Sequence, residues 1–252
     1  MVYENLIYEK KEGVAKITLN RPSVMNALTP ALLSEIKSAI LEAAKDNEVK
    51  VIVLTGAGRA FSTGIDLTVL GERKLKRGRV GPLFDKPAKE LIHTIQTVPK
   101  VVIAMVNGYC LTGALEIALV CDLIIASEEA KLGDTHARWG VRPSWGISQH
   151  LPFTVGILKA KELSFTADMI TGREAERIGL VNMAVPAEKL EETVQELAKK
   201  IAANSLEAIA ASKYLYNKGM EVMLKKGLEI EAKSEFDIKD TNQRLAKLRK
   251  KD

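Results

Sequence analysis

Residues 50–67 read KVIVLTGAGRAFSTGIDL, and residues 101–126 read VVIAMVNGYCLTGALEIALVCDLIIA. Each begins with a short apolar run rich in β-branched residues, Lys50–Thr55 and Val101–Val106, the pattern of a strand buried on both faces. Each run then empties into a glycine-bearing turn. After the second turn an apolar helix begins near Gly113, and a third strand, Asp122–Ala126, follows at once. Helical spacing fills the gaps between strands. Thr29 as N-cap with Pro30 behind it opens a stripe of Leu32, Leu33, Ile36, Ile40 and Leu41, and a second helix is expected over Lys89–Thr97. Upstream, Val14, Ile17 and Leu19 alternate with polar positions as a strand over Gly13–Leu19, ending at the turn Asn20-Arg21-Pro22. Strands alternating with helices predict an α/β fold with parallel pairing and right-handed crossovers. From Ala187 onward the periodicity is helical and amphipathic, suited to packing on the domain or on another subunit.

The chain has 252 residues, of which 46% are apolar, enough for a substantial core, and it carries no low-complexity tract or fixed-period repeat. One continuous domain with a helical tail is therefore expected. The opening residues, MVYENLIYEKKEG, place charges where a signal core would be apolar, and no stretch approaches the roughly 18 apolar residues that span a bilayer. A cytosolic location and no membrane partner follow as expectations. Cys110 and Cys121 lack the spacings of a zinc or redox site and read as reduced core residues, so no metal is expected. The net charge is +5, with a basic end at Arg244, Lys247, Arg249, Lys250 and Lys251. No aromatic residues interleave with those charges, so a solvated helix end is preferred to a nucleic-acid site.

Two turns have the makings of a reactive centre. In Ser62-Thr63-Gly64-Ile65-Asp66, Gly64 permits a backbone that turns the following amides toward one point. In the second turn, Gly108 and Gly113 flank a helix entry whose first N–H groups are unpaired. One N–H from each turn would polarise a carbonyl oxygen, and losing such a donor typically costs about 3–4 kcal/mol of transition-state stabilisation. The same glycines also suit ordinary strand-to-helix turns, and their spacing alone does not separate the two; the spacing of Gly56, Gly58 and Gly64 is not that of a dinucleotide-binding loop. Glu116 lies one helical turn beyond Gly113, either as a base beside the polarised carbonyl or as a first-turn acid favoured by the helix dipole. His136, in the polar stretch DTHARWG, is either an acid/base or a structural loop histidine. His93 and His150 read as structural.

Four segments in register carry a resemblance: NRPSVMNAL (20–28), GAGRAFSTGIDL (56–67), VNGYCLTGALEIALVCD (106–122) and TGREAERIGLVN (171–182). In order and spacing they resemble the enoyl-CoA hydratase/isomerase, or crotonase, family over nearly the whole chain. The resemblance implies a crotonase-like spiral of two-strand-plus-helix turns over residues 1–195 and a C-terminal helical trimerisation region over 196–252, with a homotrimer or a hexamer of two trimers. It assigns the oxyanion N–H groups to Ile65 and Gly113, and places Ala27, Ala60, Ser62, Asp66 and Leu67, with Ile65 and Gly113, in segments that line the CoA and acyl sites. Residues 70–90 are the expected acyl wall. Glu116 falls on one of two acidic residues that hydratases of the family use.

The sequence departs from the family pattern where the second acid is expected, which is His136, and at Ser144, where a glycine is usual. The stretch DTHARWGVRPSWGISQHLP is similar to a branch described as hydratases that carry histidine there. Reversible syn addition of water to a trans-2-enoyl-CoA is therefore the first expectation, with no separate cofactor because CoA is part of the thioester substrate. Isomerisation of 3-enoyl-CoA to 2-enoyl-CoA by Glu116 alone is the second. A non-catalytic CoA- or RNA-binding member of the fold is the alternative from another class.

Overall fold

A computed structural model describes residues 2–70 and 78–221. Its main sheet has six strands in the order β1 (Leu6–Lys11), β2 (Val14–Leu19), β3 (Val51–Gly56), β5 (Val101–Val106), β7 (Leu123–Ser127) and β10 (Met183–Val185). β1 and β2 form an antiparallel hairpin, and every later neighbour is parallel. A second sheet of four short strands runs β4 (Ala60–Ser62), β6 (Tyr109–Leu111), β8 (Lys131–Gly133) and β9 (Ile170–Thr171). Each turn of the chain thus gives a long strand to one sheet and a short strand to the other, as β3–β4, β5–β6 and β7–β8. Helices close these turns: α1 (Pro30–Lys45), α2 (Pro82–Thr97), α3 (Gly113–Ala118), α4 (Ile147–Val155), α5 (Ile157–Thr166) and α6 (Gly172–Arg177), with α7 (Leu190–Ala202) and α8 (Leu206–Met220) at the C-terminal side. This is the expected spiral of two strands and a helix.

Strand alternation divides the apolar runs between two cores. Ile52, Leu54, Val102 and Ala104 face the larger one, with Leu32, Leu33, Ile36 and Ile40 of α1. Val51, Val53, Val101, Ile103 and Met105 face the other, against Leu190, Val194 and Ala198 of α7. Burial on both faces explains the unbroken hydrophobicity of β3 and β5, each large side chain contributing about 1.5–3 kcal/mol. The Thr29 hydroxyl accepts the Leu32 N–H, the cap read from the sequence, a device worth about 1 kcal/mol.

The differences from the sequence reading have local causes. β1 is not apparent in the sequence because LIYEKK is an edge strand whose second half, Glu9-Lys10-Lys11, is charged and solvent-facing. α2 begins at Pro82, before the expected Lys89, because Pro82 sits at the favourable first position and Pro87 is accommodated within the helix. The expected limit of the spiral core at residue 195 falls inside α7. The basic residues from Arg244 to Lys251 lie outside the described residues. Among the described residues no helix is long and apolar enough to cross a membrane.

α8 is anchored by a buried ammonium. Lys213 Nζ, in a residue only 8% exposed, donates to Ile95 O (2.8 Å), Lys100 O (3.0 Å) and Asp122 Oδ2 (2.7 Å). Asp122 Oδ2 also accepts the Val102 N–H at 2.7 Å. Burial pushes the Asp122 carboxyl above its ordinary range, and Lys213 opposes that rise. Lys213→Ala leaves the carboxylate unpaired and two carbonyls without their donor. The variant is expected to lose about 3–5 kcal/mol in urea unfolding; a loss under about 1 kcal/mol would show that the pair does not hold α8.

Candidate active site

β4 leads into Thr63-Gly64-Ile65. Gly64 has φ +90°, and a Cβ there would lie 3.0 Å from Leu111 O and 3.4 Å from Gly113 N, so the two glycine turns are in direct contact. Leu28 pairs with this segment, its N–H bonding Gly64 O at 2.7 Å and its carbonyl accepting the Asp66 N–H at 2.8 Å. In that parallel pairing the Ile65 N–H points away from Leu28. β6 is followed by Thr112, whose φ of 55° and ψ of −114° are costly for a β-branched residue. Its conformation is held by the Thr112 N–H bonded to Gly133 O at 2.9 Å and by a hydroxyl contact with Thr135. Gly113 opens α3, so its N–H lacks an intrahelical partner. Neither the Ile65 nor the Gly113 N–H has an acceptor among the described residues.

Glu116, 2% exposed, faces the same point from α3. Its Oε1 accepts the Trp145 N–H at 3.0 Å and the Ile147 N–H at 3.1 Å. Its Oε2 lies 3.8 Å from His136 Nε2, too long for a direct hydrogen bond and short enough for one water to touch both. Burial raises the Glu116 pKa to about 7, the nearby His136 and the two amides only partly opposing it. The Trp145 indole lies against the Gly113 Cα: a Cβ on Gly113 would sit 2.7 Å from the ring. Asp85 Oδ1 receives both Trp145 Nε1 (3.0 Å) and the Ser144 hydroxyl (2.8 Å), which gives Ser144 its partner.

His136, 7% exposed, sits beside Asp134, which is 1% exposed. His136 Nδ1 is 2.6 Å from Asp134 Oδ1, and Asp134 Oδ2 accepts the Ser164 hydroxyl at 2.6 Å. Burial would raise the Asp134 carboxyl, but the bonds from His136 and Ser164 outweigh it and hold the group below its ordinary value.

Glu116, His136 and the two turns border a cavity of about 350 Å³. The structure brings Ile65, Leu67, Gly113, Glu116 and His136 together there. Ala27, Ala60, Ser62 and Asp66 do not line it. Ala60 and Ser62 are fully buried in β4, and Asp66 is tied to Arg21 (3.0 Å) and Thr68 (2.6 Å). Of the expected acyl wall, Val80 faces the cavity and residues 71–77 lie outside the described residues; Trp139, Val141, Arg142 and Trp145 form much of the rest. Cys110 is buried and Cys121 partly so, both unbridged. His93 is exposed on α2, and His150 lies on α4 outside this cavity. The sequence reading missed Asp134, Trp145 and the Thr112–Thr135 pair. Only Asp134 had a local signal, an acid two residues before His136.

The chain belongs to the enoyl-CoA hydratase/isomerase family, whose pattern it matches over residues 9–247. It is 38% identical to a crotonyl-CoA hydratase of Syntrophomonas wolfei, covering 92% of this chain and 88% of the relative. It is likewise 38% identical to a short-chain-enoyl-CoA hydratase of Clostridium acetobutylicum, over 93% of this chain and 89% of the relative. A crystal structure of enoyl-CoA hydratase from Bacillus anthracis superposes with a TM-score of 0.84 at 34% identity, covering 91% of this chain and 88% of that one.

The indole against Gly113 generates a prediction. Gly113→Ala must displace Trp145, whose backbone N–H holds Glu116. It is expected to cost about 1–3 kcal/mol of stability and to change the near-ultraviolet circular dichroism from tryptophan. An unchanged spectrum with full stability would mean that the ring does not confine this position.

Proposed function

We propose that the protein is an enoyl-CoA hydratase, adding water reversibly and with syn geometry to a trans-2-enoyl-CoA to give the 3-hydroxyacyl-CoA. The observation that carries this reading is the 3.8 Å gap between Glu116 Oε2 and His136 Nε2, beside two unpartnered amides in one cavity. A hydration needs two proton-transfer groups around one water, whereas moving a double bond needs a single base. The names of the Syntrophomonas and Clostridium relatives support the same choice.

The thioester carbonyl oxygen accepts the Ile65 and Gly113 N–H groups. Glu116 takes a proton from water as the water oxygen bonds the β-carbon, and the double-bond electrons move toward the thioester oxygen. The enolate collapses as the α-carbon takes the Nε2 proton of His136 in its imidazolium form, which leaves the neutral ring. One water is thereby divided into OH on the β-carbon and H on the α-carbon, leaving Glu116 protonated and His136 one proton short. Proton transfer across the gap between them resets the site. CoA enters as part of the substrate, and the chemistry requires no separate cofactor. Because burial raises Glu116 to about 7, its basic form is lost as pH falls through that value.

The assembly proposed with this function is a homotrimer or a hexamer of two trimers. Its support is apolar surface on α4 and α5, where Phe153, Ile157, Leu158 and Phe165 are 67%, 56%, 79% and 74% exposed. Sedimentation equilibrium is expected to return three or six times the chain mass; a monomer at micromolar concentration would rule this assembly out.

With crotonyl-CoA, wild type is expected to lose kcat/KM as pH drops below about 7, because Glu116 becomes protonated. Glu116→Gln is expected to slow hydration at least about 10²-fold with thioester affinity changed only a few fold, and His136→Ala to slow it by a similar factor. The hydratase assignment fails if wild type isomerises a 3-enoyl-CoA faster than it hydrates crotonyl-CoA and His136→Ala leaves isomerisation intact.

A further inference from the structure

The hydratase reading leaves open what sets the orientation of the His136 ring. An imidazole has two nitrogens, and in its neutral form only one carries a proton; the partner of one nitrogen decides the state of the other. Nδ1 lies 2.6 Å from Asp134 Oδ1, and Nε2 faces Glu116 across 3.8 Å. Asp134 Oδ1 also receives the His136 backbone N–H at 3.3 Å, while Oδ2 receives the Ser164 hydroxyl from α5 at 2.6 Å. Asp134 is 1% exposed, so these bonds occupy a carboxylate that presents almost no surface to solvent. A carboxylate whose two oxygens are held by the backbone beside the ring and by a hydroxyl on another helix is fixed in direction. It can only accept from Nδ1.

We infer that Asp134 is a positioning residue for the hydration: it holds the proton of neutral His136 on Nδ1, so that Nε2 is the nitrogen that gains and loses a proton at the cavity. The second proton-transfer group is then an aspartate–histidine pair rather than a lone imidazole. Asp134 touches no substrate. It works by excluding the ring flip and the tautomer that would point a fixed N–H at Glu116, and by keeping a negative charge beside the imidazolium formed when Nε2 is protonated. Ser164 anchors the far oxygen of the same carboxylate. His136 also borders a second cavity, of about 630 Å³, which Asp134 and Ser164 line with it. The two carboxyls meet different ring nitrogens, Asp134 at Nδ1 and Glu116 toward Nε2.

The inference rests on the hydratase reading, and two measurements separate their fates. The chain has three histidines, so the ring ¹⁵N signals of His136 are assignable by comparison with His136→Gln. In wild type without substrate, at a pH where the ring is neutral, Nδ1 is expected to be protonated and Nε2 bare. Nε2 protonated in the neutral ring would overturn the inference, and this measurement depends on neither a variant nor turnover. Asp134→Asn keeps the size of the side chain and removes its charge. Its kcat for crotonyl-CoA hydration is expected to fall on the order of 10²-fold, with KM within a few fold and a neutral ring no longer confined to the Nδ1–H form. A folded Asp134→Asn with near-wild-type kcat would overturn the role of Asp134 while leaving the hydratase reading intact. A wild type that fails to hydrate, with Nδ1 protonated, would overturn the function and the catalytic part of the inference together.

Discussion

A carboxylate at 2% exposure is tolerable only with donors at its oxygens, and Glu116 obtains them from the backbone of Trp145 and Ile147. Much of the centre follows from that requirement. α3 contributes Gly113, Ala114, Leu115, Glu116, Ile117 and Ala118, all buried, so the helix cannot turn Glu116 toward solvent. The segment that supplies the two amides must therefore fold over α3. In doing so it brings the Trp145 ring onto Gly113 and begins α4 at Ile147. Asp85 of α2 then fixes that segment through Ser144 and the Trp145 indole. One buried acid joins the helix that bears it to the wall that closes the cavity, and the glycine at the head of that helix is required by the same contact.

How far the fold was legible depended on where each element is buried. β3 and β5 were readable because both of their faces meet a core, which leaves an unbroken apolar run in the sequence. α1 was readable because its cap and its stripe are local features. β1 was not, since an edge strand with LIYEKK has neither a continuous run nor a clean alternation. The start of α2 was hidden by Pro87, which ends most helices and is here accommodated within one. The short strands β4, β6, β8 and β9 have two or three residues each, too few for any period to show.

The centre was legible where chemistry follows the chain and obscure where it crosses it. Gly113 and Glu116 are three residues apart on one helix, so their common face could be read directly. One N–H from each glycine turn could be expected from the chain itself, but Ile65 as the donor of the first turn came only from the family resemblance. Nothing in the sequence could say that Ala60 and Ser62 turn inward, because all three residues of β4 are enclosed. Nor could it place Trp145, which reaches Glu116 from 29 residues away. The strained Thr112 is a third case. Its backbone conformation contradicts its own propensity, and it is maintained by contacts with Gly133 and Thr135 that only the folded chain supplies.

Two carboxyls flank one imidazole, and their surroundings drive them in opposite directions. Burial is the largest influence on both, and by itself it favours the neutral acid in each case. Asp134 nevertheless stays below its ordinary value, because it accepts the His136 ring and backbone and the Ser164 hydroxyl at short range. Glu116 has two amides, both on one oxygen, and a histidine nitrogen 3.8 Å from the other; these do not offset the loss of solvent, and it rises to about 7. Under the proposed hydration, the difference would divide the labour of the site. Asp134 remains the standing negative charge behind the ring, while Glu116 becomes the carboxyl that exchanges a proton near neutral pH, with its free oxygen turned toward the cavity. Two acids of similar intrinsic strength thus acquire different roles through the number and placement of their hydrogen bonds.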